Sequence, residues 1–337
     1  MKLSILDQAP ISAGKTAQEA LYASIELAKC ADKLSYTRYW IAEHHDMSGL
    51  ACPTPDVMLG IIGSKTERIR IGAGAVLLPH YKPFKVAETY NLLGTLFPDR
   101  VDLGIGRAPG GSAEASIALS DNFLKEVKKM PESIDNLLGF LYDIFPKDHI
   151  FSKVSPTPIP TSPPVPWLLG TSEKSAILAA EKGMAYAFGH FMSDADGPAI
   201  VKKYKESFTV KNEKSNPQTI IAITVICAET TAKAEELALS SMLWSVQQAK
   251  GDGKNGVPSI EEAKSYSYTK DEMEAIQKMR KTMVIGNPDE VYEQIQVLQA
   301  LYEADEFMIV TITYEYKARL RSYELIDEIF IKEGVLK

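Results

Sequence analysis

The sequence predicts an α/β protein, a (β/α)8 TIM barrel with an insertion after strand seven. Three observations lead there. Eight short runs rich in β-branched and aromatic residues alternate with segments of helical periodicity along the 337 residues. Several of these runs break off into glycines or titratable side chains, as core strands do where they surface at a barrel mouth. The alternation also continues past a proline-rich stretch, so residues 1–337 read as a single domain. A doubly wound sheet, the rival architecture, usually uses fewer strands.

Leu3–Asp7 is the first strand, closed by Pro10. Thr16–Leu34 follows with Leu21, Ile25, Leu27, Ala28, Ala31 and Leu34 at helical spacing, and Thr16 with Glu19 gives the signature of a capping box. Strand two is the apolar part of RYWIAEHHD, Arg38–Asp46, which opens into Glu43, His44, His45 and Asp46. Asp56 caps a helix running through Gly63. Strand three, Ile69–Leu78, carries Gly72 and Gly74 inside it. A helix over Lys82–Phe97 leads to strand four, Val101–Ile105, which ends in GIGRAPGG. Residues 112–145 supply helical material with a break near Pro131, and six prolines between Ser155 and Pro166 predict an extended connector. Trp167–Leu169 is strand five, Ser172–Lys182 its helix, Ala185–Phe188 strand six, Ala199–Phe208 a helix and Thr219–Cys227 strand seven. After a helix from Thr231 to about Ala249 comes a polar insertion at about 250–284, opened by the Gly-, Lys- and Asp-rich Gly251–Pro258 and expected to be a mobile lid. Asp289–Leu301, Phe307–Thr313 and Lys317–Ile331 supply a helix, strand eight and the last helix.

Composition narrows the function. With 45% hydrophobic and 24% charged residues the chain has material for a sizeable core. The net charge of −7, and the absence of basic stretches interleaved with aromatics, argue against nucleic acid as a partner. No run approaches the ~20 apolar residues that span a bilayer, so no membrane association is expected. Cys30, Cys52 and Cys227 are odd in number and form no CxxC pair, which suits a reducing cytoplasm and excludes a disulfide framework.

The strand ends hold the chemistry. Four of the five histidines (His44, His45, His80 and His190) would gather at one rim. His44 and His45 are adjacent on a strand, so they point to opposite faces and cannot easily share a metal ion; no HxH or HExxH spacing exists, and no metal is expected. Glu43 reads as a brace for one imidazole or for the adjoining loop, leaving one histidine as base or hydrogen-bond donor; a purely structural pair explains the same residues. In Gly104–Gly111 the sixth position of a dinucleotide fingerprint is Pro109, so that reading fails. Four glycines with Arg107 still suit an anion, although a glycine-rich turn with a surface arginine fits too. Gly170, Thr171, Ser172 and Ser175 open a helix straight after strand five, as a phosphate cradle or simply as an N-cap. Gly72 and Gly74 mark either a close approach by a flat ligand or packing against a helix.

Taken together, WIAEHHD, RIGAGAVLLPHYKP, RVDLGIGRAPGG, LLGTSEKSAILAAEKG and RLRSYELI resemble the bacterial luciferase-like flavin monooxygenases, in order, from Leu3 to about Leu325. The resemblance implies reduced FMN supplied by a separate flavin reductase, O2 as oxidant, a flavin peroxide, a small and largely apolar organic substrate, and a homodimer. It implies catalytic roles for His44 and His45, a cis Gly74–Ala75 peptide against the flavin ring, and a phosphate site of Arg107, Thr171, Ser172 and Ser175. His190 is expected to touch substrate. Gly106 stands where luciferase has a reactive cysteine and Thr171 where it has a glutamate, so neither light emission nor an aldehyde substrate is implied. The AEHH form favours FMN over the deazaflavin of some relatives; a flavin-binding protein without turnover is the other class the resemblance admits.

Overall fold

The computed structural model describes residues 1–211 and 216–336; residues 212–215 and 337, which the single-domain expectation includes, lie outside that description. Its strands are β1 (Lys2–Asp7), β2 (Arg38–Ile41), β3 (Arg70–Leu77), β4 (Val101–Gly106), β5 (Val165–Gly170), β6 (Ala185–Gly189), β7 (Thr219–Cys227), β8 (Met283–Gly286) and β9 (Glu306–Val310). The neighbour order β6-β5-β4-β3-β2-β1-β9-β7-β8, with β6 also paired to β7, closes eight parallel strands into a barrel and leaves β8 outside it.

Two departures from the expected strands bear on the fold. Met283–Gly286, which begins at the far end of the expected polar insertion, is an additional strand and pairs with Thr224–Cys227 of β7. Four residues extending one end of a strand are too few to show a period. The last barrel strand ends at Val310 rather than Thr313, because Thr311 leaves the ladder: its N–H donates to the Tyr323 hydroxyl (3.1 Å) and its own hydroxyl donates to the Val225 carbonyl (2.7 Å).

Side-chain alternation divides the barrel. Tyr39, Ile41, Ile71, Leu103, Ile105, Phe188, Ile221 and Ile309 face outward into the core shared with the helices. Leu6, Trp40, Ala42, Trp167, Ala187, Ile220, Ala222, Met308 and Val310 face inward. Beneath them lies a charged layer. Arg38 donates to Glu306 (2.7 Å) and to Asp102 (2.8 Å), Arg70 donates to Asp102 (2.9 Å), and the Trp40 indole donates to Asp102 (3.0 Å). Pairing and full hydrogen bonding make these buried charges tolerable.

The proline-rich connector runs against the helix Pro83–Leu96, where Asn91 donates to the Pro156 carbonyl (2.7 Å). The insertion contains the helices Ile260–Ser265 and Lys270–Arg280, each opened by a capping box. Lys264–Glu236 (2.5 Å) and Arg280–Glu235 join it to the helix Thr231–Ala249, and Lys278–Asp194 (2.6 Å) joins it to the turn after β6. Among the described residues no helix is long and apolar enough to cross a membrane.

Candidate active site

A barrel of this size is normally filled by inward side chains. Here the top layer is cut away, because Ala42, Gly74, Gly106, Ala187 and Ala222 occupy its positions above a floor of Leu6, Trp40 and Met308. The result is a cavity of about 360 Å³ at the carboxyl ends of the strands, lined by these residues. Small residues here keep space open: a Cβ on Gly74 would stand 2.6 Å from Leu6 Cδ1. The Gly74–Ala75 peptide is cis, beside a register shift in the β3–β4 pairing. Of the two inward glycines in this strand, Gly72 receives the Trp40 indole, 2.8 Å from where its Cβ would be.

The lining separates the two histidines. Trp40, Ala42, Glu43 and His44 line the cavity, whereas His45 does not. His44 Nδ1 is buried without a hydrogen-bond partner. Burial, and secondarily the charge of His45, push its pKa down to about 4. His45 is outside the lining; its Nε2 lies 2.8 Å from Glu43 Oε1, the oxygen that also accepts from the Tyr81 hydroxyl (2.8 Å). Glu43 Oε2 accepts from the Leu77 N–H (3.3 Å), and burial raises this carboxyl above its ordinary range. Glu43 therefore braces His45 and the end of β3, and Tyr81, which sequence reading did not single out, completes the brace. His190 is likewise outside the lining. It opens the short helical turn after β6, and its Nδ1 pairs with the Tyr302 hydroxyl (2.9 Å).

The loop after β4 is fastened to this turn. His45 N–H donates to the Gly110 carbonyl (2.8 Å), His80 Nε2 donates to the Pro109 carbonyl (2.9 Å), and Ser112 Oγ donates to Asp46 (2.6 Å). Contact is so close that a Cβ on Gly111 would fall 1.8 Å from the His45 carbonyl oxygen. The fastened loop carries Arg107 into the lining, exposed and without an ion pair among the described residues. Next to it, Thr171, Ser172 and Ser175 line the cavity at the amino end of the helix Glu173–Lys182. Ser172 and Ser175 form a reciprocal capping box, and Ser175 Oγ also lies 3.1 Å from the Tyr186 hydroxyl. Thus Ser172 is an N-cap and a cavity residue at once.

An unpartnered imidazole, a cation without a counter-charge and a helix amino end in one apolar cavity form a set that suits a flat ligand bearing a phosphate. A profile of the luciferase-like monooxygenases matches residues 1–303. The chain belongs to the luciferase-like monooxygenase family. It is 43% identical over 98% of its length to the uncharacterised protein YceB of Bacillus subtilis, covering 99% of that protein. It is 33% identical over 97% of its length to the N-acetyl-S-alkylcysteine monooxygenase of the same organism, covering 98% of it. The crystal structure of apo-MsnO8 superposes with a TM-score of 0.85 at 32% identity, with 98% of each chain covered. At 19% and 13% identity the fold alone recurs, at a TM-score of 0.71, in two ligand complexes. One is the oxygenating constituent of a Pseudomonas putida diketocamphane monooxygenase with FMN, with 97% of each chain covered. The other is an F420-dependent secondary alcohol dehydrogenase with an F420–acetone adduct, with 100% of each chain covered. Among the described residues of this luciferase-like chain, no three His, Cys, Asp or Glu side chains gather as a metal site.

Proposed function

We propose that this chain oxygenates a small, largely apolar organic substrate using O2 and reduced FMN delivered by a separate reductase. The observation that carries this reading is the convergence of His44, Arg107 and Ser172 on one cavity whose walls are otherwise mostly apolar. Arg107, Ser172 and the free N–H groups opening the helix Glu173–Lys182 would hold the FMN phosphate. The cut-away surface at Gly74, Ala75 and Gly106 would take the ring. Reduced FMN, when bound, supplies the electrons that activate O2.

The chain's own residues set the conditions. Leu6, Trp40, Leu169 and Met308 exclude water, which strengthens every polar contact inside. His44, neutral at pH 7, offers Nδ1 to hold or pass a proton. His45, tied to Glu43, acts on the turn rather than on substrate. His190, tied to Tyr302, has the same status behind β6. The three free thiols suit a reducing cytoplasm. Val57 and Ile61 on the helix Pro55–Lys65, with Leu92 and Leu96 on the neighbouring helix Pro83–Leu96, are exposed and supply an apolar face for the homodimer.

The test supplies NADH, a flavin reductase, FMN, O2 and a panel of carbonyl and aromatic compounds. Oxygen uptake that yields an oxygenated product supports the proposal. Stoichiometric hydrogen peroxide with every compound supports a binder without turnover, and binding of F420 in place of FMN supports a deazaflavin enzyme.

A further inference from the structure

Gln8 extends the inward set of β1. Ser4 bonds the interior Glu306 and Leu6 belongs to the interior cluster, whereas Asp7 faces out, bonded to Tyr39 (2.6 Å) and Arg319 (3.0 Å). Gln8 follows in register and lines the cavity above Leu6. Its amide forms no hydrogen bond among the described residues. In the closed ring β1 lies four strands from β5, so Gln8 stands across the mouth from Thr171 and Ser172.

Of the remaining polar lining, His44, just past the end of the neighbouring strand β2, keeps Nδ1 free and is neutral at pH 7. The Glu43 carboxylate is taken by His45, Tyr81 and the Leu77 N–H. Arg107, Ser172 and Ser175 belong to the β4–β5 side. Apart from neutral His44, the wall on this side is Leu6, Ala42, Ala222 and Met308, without a cation. A substrate carboxylate would find no counter-charge there, and a hydrocarbon would leave the amide unsatisfied.

Resting on the flavin reading above, we propose that Gln8 determines specificity: its amide binds the single polar group, an amide- or carbonyl-type oxygen, of an uncharged substrate. The N–H donates to that oxygen and turns the apolar remainder toward the centre of the cavity.

The experiment uses FMN-loaded full-length protein and a series of cyclic ketones, each with its exocyclic-methylene isostere, read by perturbation of the bound-FMN spectrum. Wild type is expected to bind at least one ketone about tenfold more tightly than its isostere. Gln8→Leu should lose that preference while keeping wild-type FMN affinity, which also reports that it is folded. Gln8→Glu, isosteric but without the N–H donor, should lose it too. No ketone preference in wild type, a preference retained in both variants, or FMN affinity reduced tenfold by Gln8→Leu would each overturn the proposal. Failure of wild type to bind FMN would overturn the flavin reading as well; normal FMN binding without ketone preference overturns this inference alone.

Discussion

At the scale of the residue, His44 carries the sharpest prediction. Its buried imidazole is neutral under ordinary conditions, with Nδ1 free. His44→Ala is expected to slow product formation about a hundredfold or more while leaving FMN affinity nearly unchanged; equal loss of both would mean that His44 is a binding residue. Its titration also has a stability signature. The unfolded chain takes up this proton near pH 6.5 and the folded chain near pH 4. The contribution is therefore complete above pH 6.5 and declines as pH falls, by up to about 1.4 kcal/mol per unit. Glu43, whose carboxyl burial raises above its ordinary range, titrates in the opposite sense. Denaturant midpoints of wild type minus His44→Gln should show the slope; identical pH profiles would contradict it. Adjacency in EHHD revealed that the two histidines differ in facing, but not which one faces inward. That is settled by the parity running from Trp40 through Ala42, which needs the barrel interior to be identified first.

At the scale of the element, the fastened loop of residues 107–111 places Arg107. His80 holds it through the Pro109 carbonyl, so His80→Ala should weaken FMN binding while riboflavin, which lacks the phosphate, binds as before. His80→Gln, which keeps a donor, should restore most of the difference. Equal losses for both flavins in His80→Ala would indicate general damage. Gly111→Ala pushes on the His45 backbone itself and should weaken FMN binding more than His80→Ala does. The glycines of GIGRAPGG are visible in sequence as a permissive loop. What they are permissive toward is not, because the His45 carbonyl arrives from a segment more than sixty residues earlier. The Ser172–Ser175 cap was legible for the converse reason: all its partners are local.

At the scale of the molecule, two features govern integrity. The buried layer of Arg38, Arg70, Asp102 and Glu306 draws on four strands, so no local pattern announces it. Asp102→Asn leaves two arginines undercompensated and should cost about 3–5 kcal/mol by denaturant unfolding; a loss under about 1 kcal/mol would show that the layer is not a fully desolvated network. The barrel itself was legible because each strand is buried on both faces and reads as an apolar run, whereas β8 is four residues long, pairs with β7 alone among the strands and follows a polar stretch. Leu92→Glu with Leu96→Glu should convert a dimer to a monomer by sedimentation, since both side chains stand exposed on one helix; an unchanged sedimentation coefficient would place the interface elsewhere.

In the proposed function, one cavity holds a flavin by its phosphate at Arg107. Titration of wild type and Arg107→Ala with FMN and with riboflavin tests it most directly. A charge-assisted contact is worth about 2 kcal/mol, so wild type should prefer FMN by roughly thirtyfold and Arg107→Ala should lose most of that preference. Equal affinity of wild type for both flavins, or a preference untouched by Arg107→Ala, would mean that Arg107 does not hold a flavin phosphate.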